Sequence, residues 1–79
     1  MNQLSNRITI NEHVCNGRPV IRNMRFTVAQ MLELIAAGMT FDEILADYPY
    51  IEKEDISACL LYASIITSNK GMYSFSEMA

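Results

Sequence analysis

Polar and apolar residues alternate along Arg7-Ile8-Thr9-Ile10, and β-branching at three of the four positions predicts a short, half-buried strand. Two further extended pieces, Val20-Ile21-Arg22 and Arg25-Phe26-Thr27, flank Asn23-Met24 and predict a hairpin turning at those two residues. Asparagine accepts the left-handed backbone that such a turn needs, whereas methionine suits its second position poorly. After Thr27 the apolar spacing changes from two to 3.6. Val28, Met31, Leu32 and Ile35 fall on one helical face, with Thr27 as N-cap, Gln30 as its capping-box partner and Gly38 as the stop. Thr40 and Glu43 begin a second capping box, and Phe41, Ile44, Leu45 and Tyr48 repeat the spacing until Pro49 ends it.

A third helix is predicted behind Glu52, Glu54 and Asp55, carboxylates that suit the positive end of its dipole, and its apolar pattern runs to about Thr67. From Ala58 to Ile66 this helix is apolar nearly all round, where the surface helix of a monomer carries one stripe. Two short helices cover only one side of it. Either its other side meets a second copy of the chain, with Leu61, Tyr62, Ile65 and Ile66 as the interface of a homodimer, or the helix lies buried at the centre of its own small domain. The order of elements gives a mostly helical α+β fold: short N-terminal strands and a hairpin, then a three-helix bundle with helix-turn-helix character. One domain is expected over residues 1–67, followed by a tail at 68–79.

Size sharpens the question of a partner. A chain of 79 residues hides only about 60% of its unfolded surface, so its core is small and help from a second subunit is expected. The longest uncharged apolar run, Ala58 to Ile66, is far short of the ~20 residues that span a bilayer. The start Met-Asn-Gln-Leu-Ser-Asn has neither the basic residues nor the apolar stretch of a signal peptide, so a cytoplasmic protein is expected.

Charge is divided unevenly along the chain. Residues 1–30 hold Arg7, Arg18, Arg22 and Arg25 against Glu12 alone, and four minus one is plus three. Residues 31–79 hold Lys53 and Lys70 against eight carboxylates, and two minus eight is minus six. An arginine-rich head on an acidic body implies an anionic partner for one end and a basic partner for the other.

The second and third predicted helices, joined by Asp47-Tyr48-Pro49-Tyr50-Ile51, have the layout of a helix-turn-helix. Glu52, Glu54 and Asp55 at the start of the third are wrong for a phosphate backbone, and only Lys53 helps there. If DNA is bound, Arg7, Arg18, Arg22 and Arg25 are the better contacts, as a β-ribbon or a minor-groove arm. The competing reading of Arg18, Arg22 and Arg25 is internal pairing with the acidic body.

Little supports catalysis. His13 is the sole histidine, and neither a nucleophile elbow nor a phosphate-cradling glycine-rich loop is present. Glu12, His13 and Cys15 match no zinc spacing and lack a fourth ligand, so His13 reads as a surface-loop residue. Cys15 and Cys59 read as reduced thiols packed as small hydrophobes. No cofactor or metal is expected.

Several of these stretches together resemble a known family. Ile8-Thr9-Ile10-Asn11, the run Val14-Cys15-Asn16-Gly17-Arg18-Pro19-Val20-Ile21-Arg22, Arg25, Val28, then Leu32-Glu33-Leu34-Ile35-Ala36-Ala37-Gly38-Met39-Thr40, Asp47-Tyr48-Pro49 and Glu54-Asp55-Ile56 resemble the bacterial domain-of-unknown-function family 433. The likeness runs from about Ile8 to about Ser64. Five positions depart from the family pattern: Asn23-Met24 stands for a Gly-Thr turn, Phe26-Thr27 for Ile-Pro, and Glu52 for a capping threonine. The resemblance implies a small helix-turn-helix antitoxin of the VapB type, encoded beside a PIN-like ribonuclease toxin that it neutralises, and bound to operator DNA for transcription regulation. A dimeric protein-interaction module without nucleic-acid binding is the alternative. The tail lies beyond the resemblance, and its Met72, Tyr73 and Phe75, with Glu77 at the rim, are the residues expected to anchor the toxin. A tail frayed loosely onto its own domain is the other possibility there.

Overall fold

The computed structural model describes residues 6–68. Within them the elements run β1 (Ile8–Thr9), β2 (Val20–Ile21), α1 (Val28–Ala36), α2 (Phe41–Asp47) and α3 (Lys53–Thr67), the small α+β order that the periodicity predicts. β1 and β2 pair antiparallel, with Ile8 opposite Ile21 and Thr9 opposite Val20. Two-residue strands are not stable alone. Here α3 pins them, packing against β1 as well as α1 and α2.

The hairpin turns one residue earlier than expected. Arg22 (φ 45°) and Asn23 (φ 60°) are the left-handed pair, and the Met24 N–H donates to the Ile21 carbonyl at 2.8 Å, closing a type I′ turn. Met24 thereby escapes the positive φ that suits it poorly and packs against the core. The return limb is one bridge, Val20 to Thr27, rather than a full strand, because Thr27 already caps α1. Upstream, Cys15, Asn16 and Gly17 are left-handed in succession (φ 51°, 59° and 81°). A Cβ on Gly17 would meet the Glu12 Cα at 3.6 Å, an ordinary contact, so the backbone rather than space favours glycine there.

The helix boundaries follow from their caps. Thr27 Oγ1 accepts from the Gln30 N–H at 2.9 Å to start α1. Gly38 (φ 98°) ends it in a Schellman motif, its N–H donating to the Ile35 carbonyl at 2.9 Å and the Met39 N–H to the Leu34 carbonyl at 3.2 Å. Thr40 and Glu43 then form a reciprocal box at 3.1 and 2.8 Å, so the N-cap of α2 comes two residues after Gly38. The core under these helices contains Ile21, Phe26, Val28, Met31, Ile44, Ile51, Ile56 and Cys59.

Both readings of the third helix describe part of it. Ile56, Ala58 and Cys59 are buried centrally, as the one-domain alternative requires. Leu60, Ile65 and Ile66 are 40%, 46% and 42% exposed, so the C-terminal half carries its apolar character past the helices that cover the rest. No helix among the described residues is long and apolar enough to cross a membrane.

Candidate functional site

Among the described residues two features carry chemistry, a charge cluster at the start of α3 and an apolar face at its end that no other described residue covers. The cluster follows from the register of the strands. One residue beyond the ladder, the Arg22 N–H donates to the Arg7 carbonyl at 2.8 Å, which sets the two arginines opposite one another. Like charges in that position repel unless an anion lies between them. Asp55, in the first turn of α3 and fully buried, is that anion.

Each Asp55 oxygen accepts two hydrogen bonds. Oδ1 takes Arg7 Nη1 at 2.9 Å and Arg22 Nε at 3.1 Å; Oδ2 takes Arg22 Nη2 at 2.6 Å and the Glu52 backbone N–H at 2.9 Å. Four bonds saturate a carboxylate, and the Arg22 pair is the two-pronged form that guanidinium geometry favours. Burial by itself raises the Asp55 pKa, but the bonds from Arg22, Glu52 and Arg7 outweigh it and hold the carboxyl below its ordinary value. Arg7 also reaches Glu52 Oε1 at 2.7 Å, and Arg22 Nη2 donates to the Tyr50 carbonyl at 3.0 Å. Hydrogen bonding to Glu52 and then Asp55 raises the Arg7 pKa, and hydrogen bonding to Asp55 raises that of Arg22.

The cluster revises two expectations. Asp55 is not a surface carboxylate facing phosphates; it closes an internal network. Arg22, read from sequence either as a nucleic-acid contact or as an internal partner, is internally paired, and Arg7 is paired as well. Their side chains remain 27% (Arg7) and 36% (Arg22) exposed, so each keeps an outward edge. Arg18, Arg25 and Lys53 are exposed and form no salt bridge among the described residues. Arg18 Nε makes a 3.4 Å contact with the Cys15 carbonyl.

At the other end of α3, Tyr62 forms a ridge between two apolar grooves. One, of about 340 Å³, is lined by Arg18, Pro19, Val28, Ala29, Leu32, Ala63 and Ile66 with three hydroxyl-bearing residues, Thr27, Tyr62 and Thr67. The other, of about 190 Å³, lies among Ile8, Ile10, Ala58, Leu61, Tyr62 and Ile65. The structure therefore distributes the expected interface residues: Leu61 and Ile65 face one groove, Ile66 the other, and Tyr62 both. Met72, Tyr73, Phe75 and Glu77 lie outside the described residues. Ile10, 64% exposed at the rim of the smaller groove, extends the apolar face and was not singled out in the sequence.

Residues 8–63 match the family model described as a protein of unknown function, DUF433. The chain belongs to the DUF433 family. The matched span takes in both turns and Asp55, so the charge cluster lies within the DUF433 domain apart from Arg7, one residue ahead of it, while Ile65 and Ile66 lie just beyond. A crystal structure of a DUF433 member from Anabaena variabilis ATCC 29413 is similar to this chain, with a TM-score of 0.72 and 37% identity over 78% of this chain and 61% of that one. This chain thus spans less than two thirds of that DUF433 protein. No curated protein matches it.

Among the described residues no group of three His, Cys, Asp or Glu side chains is placed to hold a metal ion. Burial, with Asp55 nearby, pushes the Cys59 thiol up to about 12, so at neutral pH it is an inert packing group. His13 stands exposed in its loop, where its backbone N–H donates to Asn11 Oδ1 at 2.9 Å.

Proposed function

We propose that this chain is the antitoxin of a two-gene toxin–antitoxin pair in the cytoplasm. It acts as a homodimer that covers a PIN-like ribonuclease and holds operator DNA. The observation that carries the protein-binding half is the C-terminal half of α3, which the other described residues leave uncovered and where Leu60, Ile65 and Ile66 stand exposed beside two apolar grooves. A small domain that leaves such a face uncovered favours a partner. The nuclease enters through the family resemblance. An inhibitor of an RNA-cleaving site gains by offering acidic groups to its basic rim, and Glu33, Asp42, Glu43, Asp47, Glu52 and Glu54 supply an exposed acidic body. In this reading the smaller groove, between Ile10, Leu61 and Ile65, joins two copies of the chain, while Met72, Tyr73, Phe75 and Glu77 anchor the toxin.

Ile65→Asp tests the assembly without threatening the fold, because Ile65 is 46% exposed in the single chain. Across a two-fold interface the variant buries two unpaired carboxylates. Light scattering should report a dimer for the unmodified chain at micromolar concentration. The variant should dimerise at least about 100-fold more weakly, the equivalent of roughly 2.7 kcal/mol, with an unchanged circular dichroism spectrum. A monomeric unmodified chain removes the dimer from the proposal. Co-expression with the product of the adjacent gene, followed by size-exclusion chromatography, tests the toxin, and failure to co-elute with a nuclease removes it.

For DNA, the exposed cations Arg18, Arg25 and Lys53 are the contacts, joined by the outward edges of Arg7 and Arg22. Arg25→Ala should weaken binding to all sequences alike and reduce the salt slope by about one unit per subunit, leaving stability unchanged. Absence of a shift of the chain's own promoter fragment at low salt, alone or with the nuclease, decides for the second reading, a dimeric interaction module that does not touch nucleic acid. That reading draws its support from Asp55, which engages two of the four arginines.

A further inference from the structure

The loop between the strands holds the chain's one Asn-Gly pair, Asn16-Gly17. An asparagine before glycine readily loses its amide, because glycine has no Cβ to shield its own nitrogen. That nitrogen attacks Asn16 Cγ to close a five-membered succinimide; the Cγ–Nδ2 bond breaks, and ammonia leaves with the proton of the Gly17 amide. Water then opens the ring at either carbonyl, giving aspartate or isoaspartate at position 16. Asn16 is exposed, so solvent reaches the reacting groups.

The closed loop opposes the first step in two ways. Ring closure needs the Gly17 nitrogen on the same side of the Cα–C bond as Asn16 Cβ, whereas at φ 59° and ψ 33° that nitrogen points almost directly away from it. The Gly17 N–H also donates to the Val14 carbonyl at 3.1 Å, and the Arg18 N–H to the Cys15 carbonyl at 3.2 Å. Both the proton to be lost and the peptide that must rotate are therefore held. Strain works the other way: Cys15 carries a Cβ at a left-handed φ of 51°, and Asn16 and Gly17 follow it in the same region. A strained surface turn opens more readily than the core beneath it.

We propose that Asn16-Gly17 is a modification site gated by this turn: closed, the turn preserves the amide, and each opening exposes it to a reaction that reclosing does not undo. Isoaspartate lengthens the backbone by one methylene inside both hydrogen-bonded rings, so neither bond re-forms as before. The loop leads straight into the ribbon, where the Pro19 carbonyl accepts the Val28 N–H at 3.0 Å and Val20 pairs with Thr9. Either product also places a carboxylate two residues before Arg18, and three minus one leaves residues 1–30 at plus two. The site rests on neither the nuclease nor DNA.

The test incubates the full chain in warm, mildly alkaline buffer, folded or in urea, and follows the tryptic peptide of residues 8–22 by mass spectrometry, with isoaspartate separated from aspartate by chromatography. Amide loss should be at least about tenfold slower in the folded chain, because the open population sets the rate. Cys15→Val, whose β-branched side chain resists a left-handed φ more strongly, should speed the loss roughly threefold or more in the folded chain and leave the rate in urea unchanged. Hydrogen exchange at the Gly17 amide should accelerate with it while the Ile44 amide, in the core helix α2, stays protected, which separates opening of the loop from unfolding of the domain. Equal rates in buffer and in urea overturn the proposal. So do an unchanged rate of loss in folded Cys15→Val and an isoaspartate-containing chain whose Gly17 amide is still protected from exchange.

Discussion

Asp55→Ala is expected to destabilise the domain by about 3 kcal/mol, a large fraction of the roughly 4–12 kcal/mol that a domain of this size holds. The figure is the low end of the range for breaking a buried ion pair, because Arg7 and Arg22 keep exposed edges through which water can re-enter. Three losses coincide: the four hydrogen bonds to the carboxylate, the anion separating two opposed arginines, and the acceptor for the Glu52 N–H at the start of α3. A urea midpoint within 0.5 M of the unmodified chain, on the order of 1 kcal/mol or less for typical slopes, would contradict the account. The same group makes the fold acid-sensitive. Its pKa is lower in the folded chain than the unfolded value of about 3.9, so its contribution is complete above that value and is lost as pH falls through it toward the folded pKa. Asp55→Asn should lose this part of the acid slope.

Phe26→Ala is expected to cost 3–4 kcal/mol or more, typical for removal of a buried aromatic ring. Phe26 is 2% exposed, and its ring meets that of Tyr48 edge-on, with centroids 5.0 Å apart and planes at 87°. That contact ties the return limb of the hairpin to the end of α2, an arrangement worth about 0.5–1.5 kcal/mol beyond area. Tyr50, the next aromatic in the chain, is 55% exposed with its ring 6.3 Å from Tyr48, and Tyr50→Ala should change stability by less than about 0.5 kcal/mol. Chemical denaturation of both variants distinguishes them. A loss below 1 kcal/mol for Phe26→Ala would mean that the ring contributes little to holding the hairpin down.

The helices were readable because their determinants are local. Thr27, Gly38, Thr40 and Glu43 act within four residues of themselves, and all four cap as their spacing implies. Local turn chemistry places asparagine at the first left-handed position, whereas Arg22 occupies it. There the Arg22 side chain meets the Asp55 carboxylate 33 residues away, a partner that no local pattern contains. Asp55 left a trace in the sequence: with Ala58, Cys59 and Tyr62 it continues the inward i, i+3, i+4, i+7 stripe of α3. A carboxylate on an inward stripe needs cationic partners, and a chain with four arginines near its start supplies them. The two grooves were not legible, because they arise from how far α3 outruns its neighbours rather than from any residue type.

The carboxylate that joins Arg7, Arg22 and the start of α3 also orders events during synthesis. Neither strand is long enough to persist by itself, so the N-terminal third has no finished structure until residue 55 has been made. Arg22 precedes Asp55 by 33 residues, an interval of roughly two to seven seconds at 5–20 residues per second. Until Asp55 is available, Arg7 and Arg22 lack the anion that lies between them in the finished fold. The ribbon is translated ahead of all three helices, yet the side chain that completes it comes from the third.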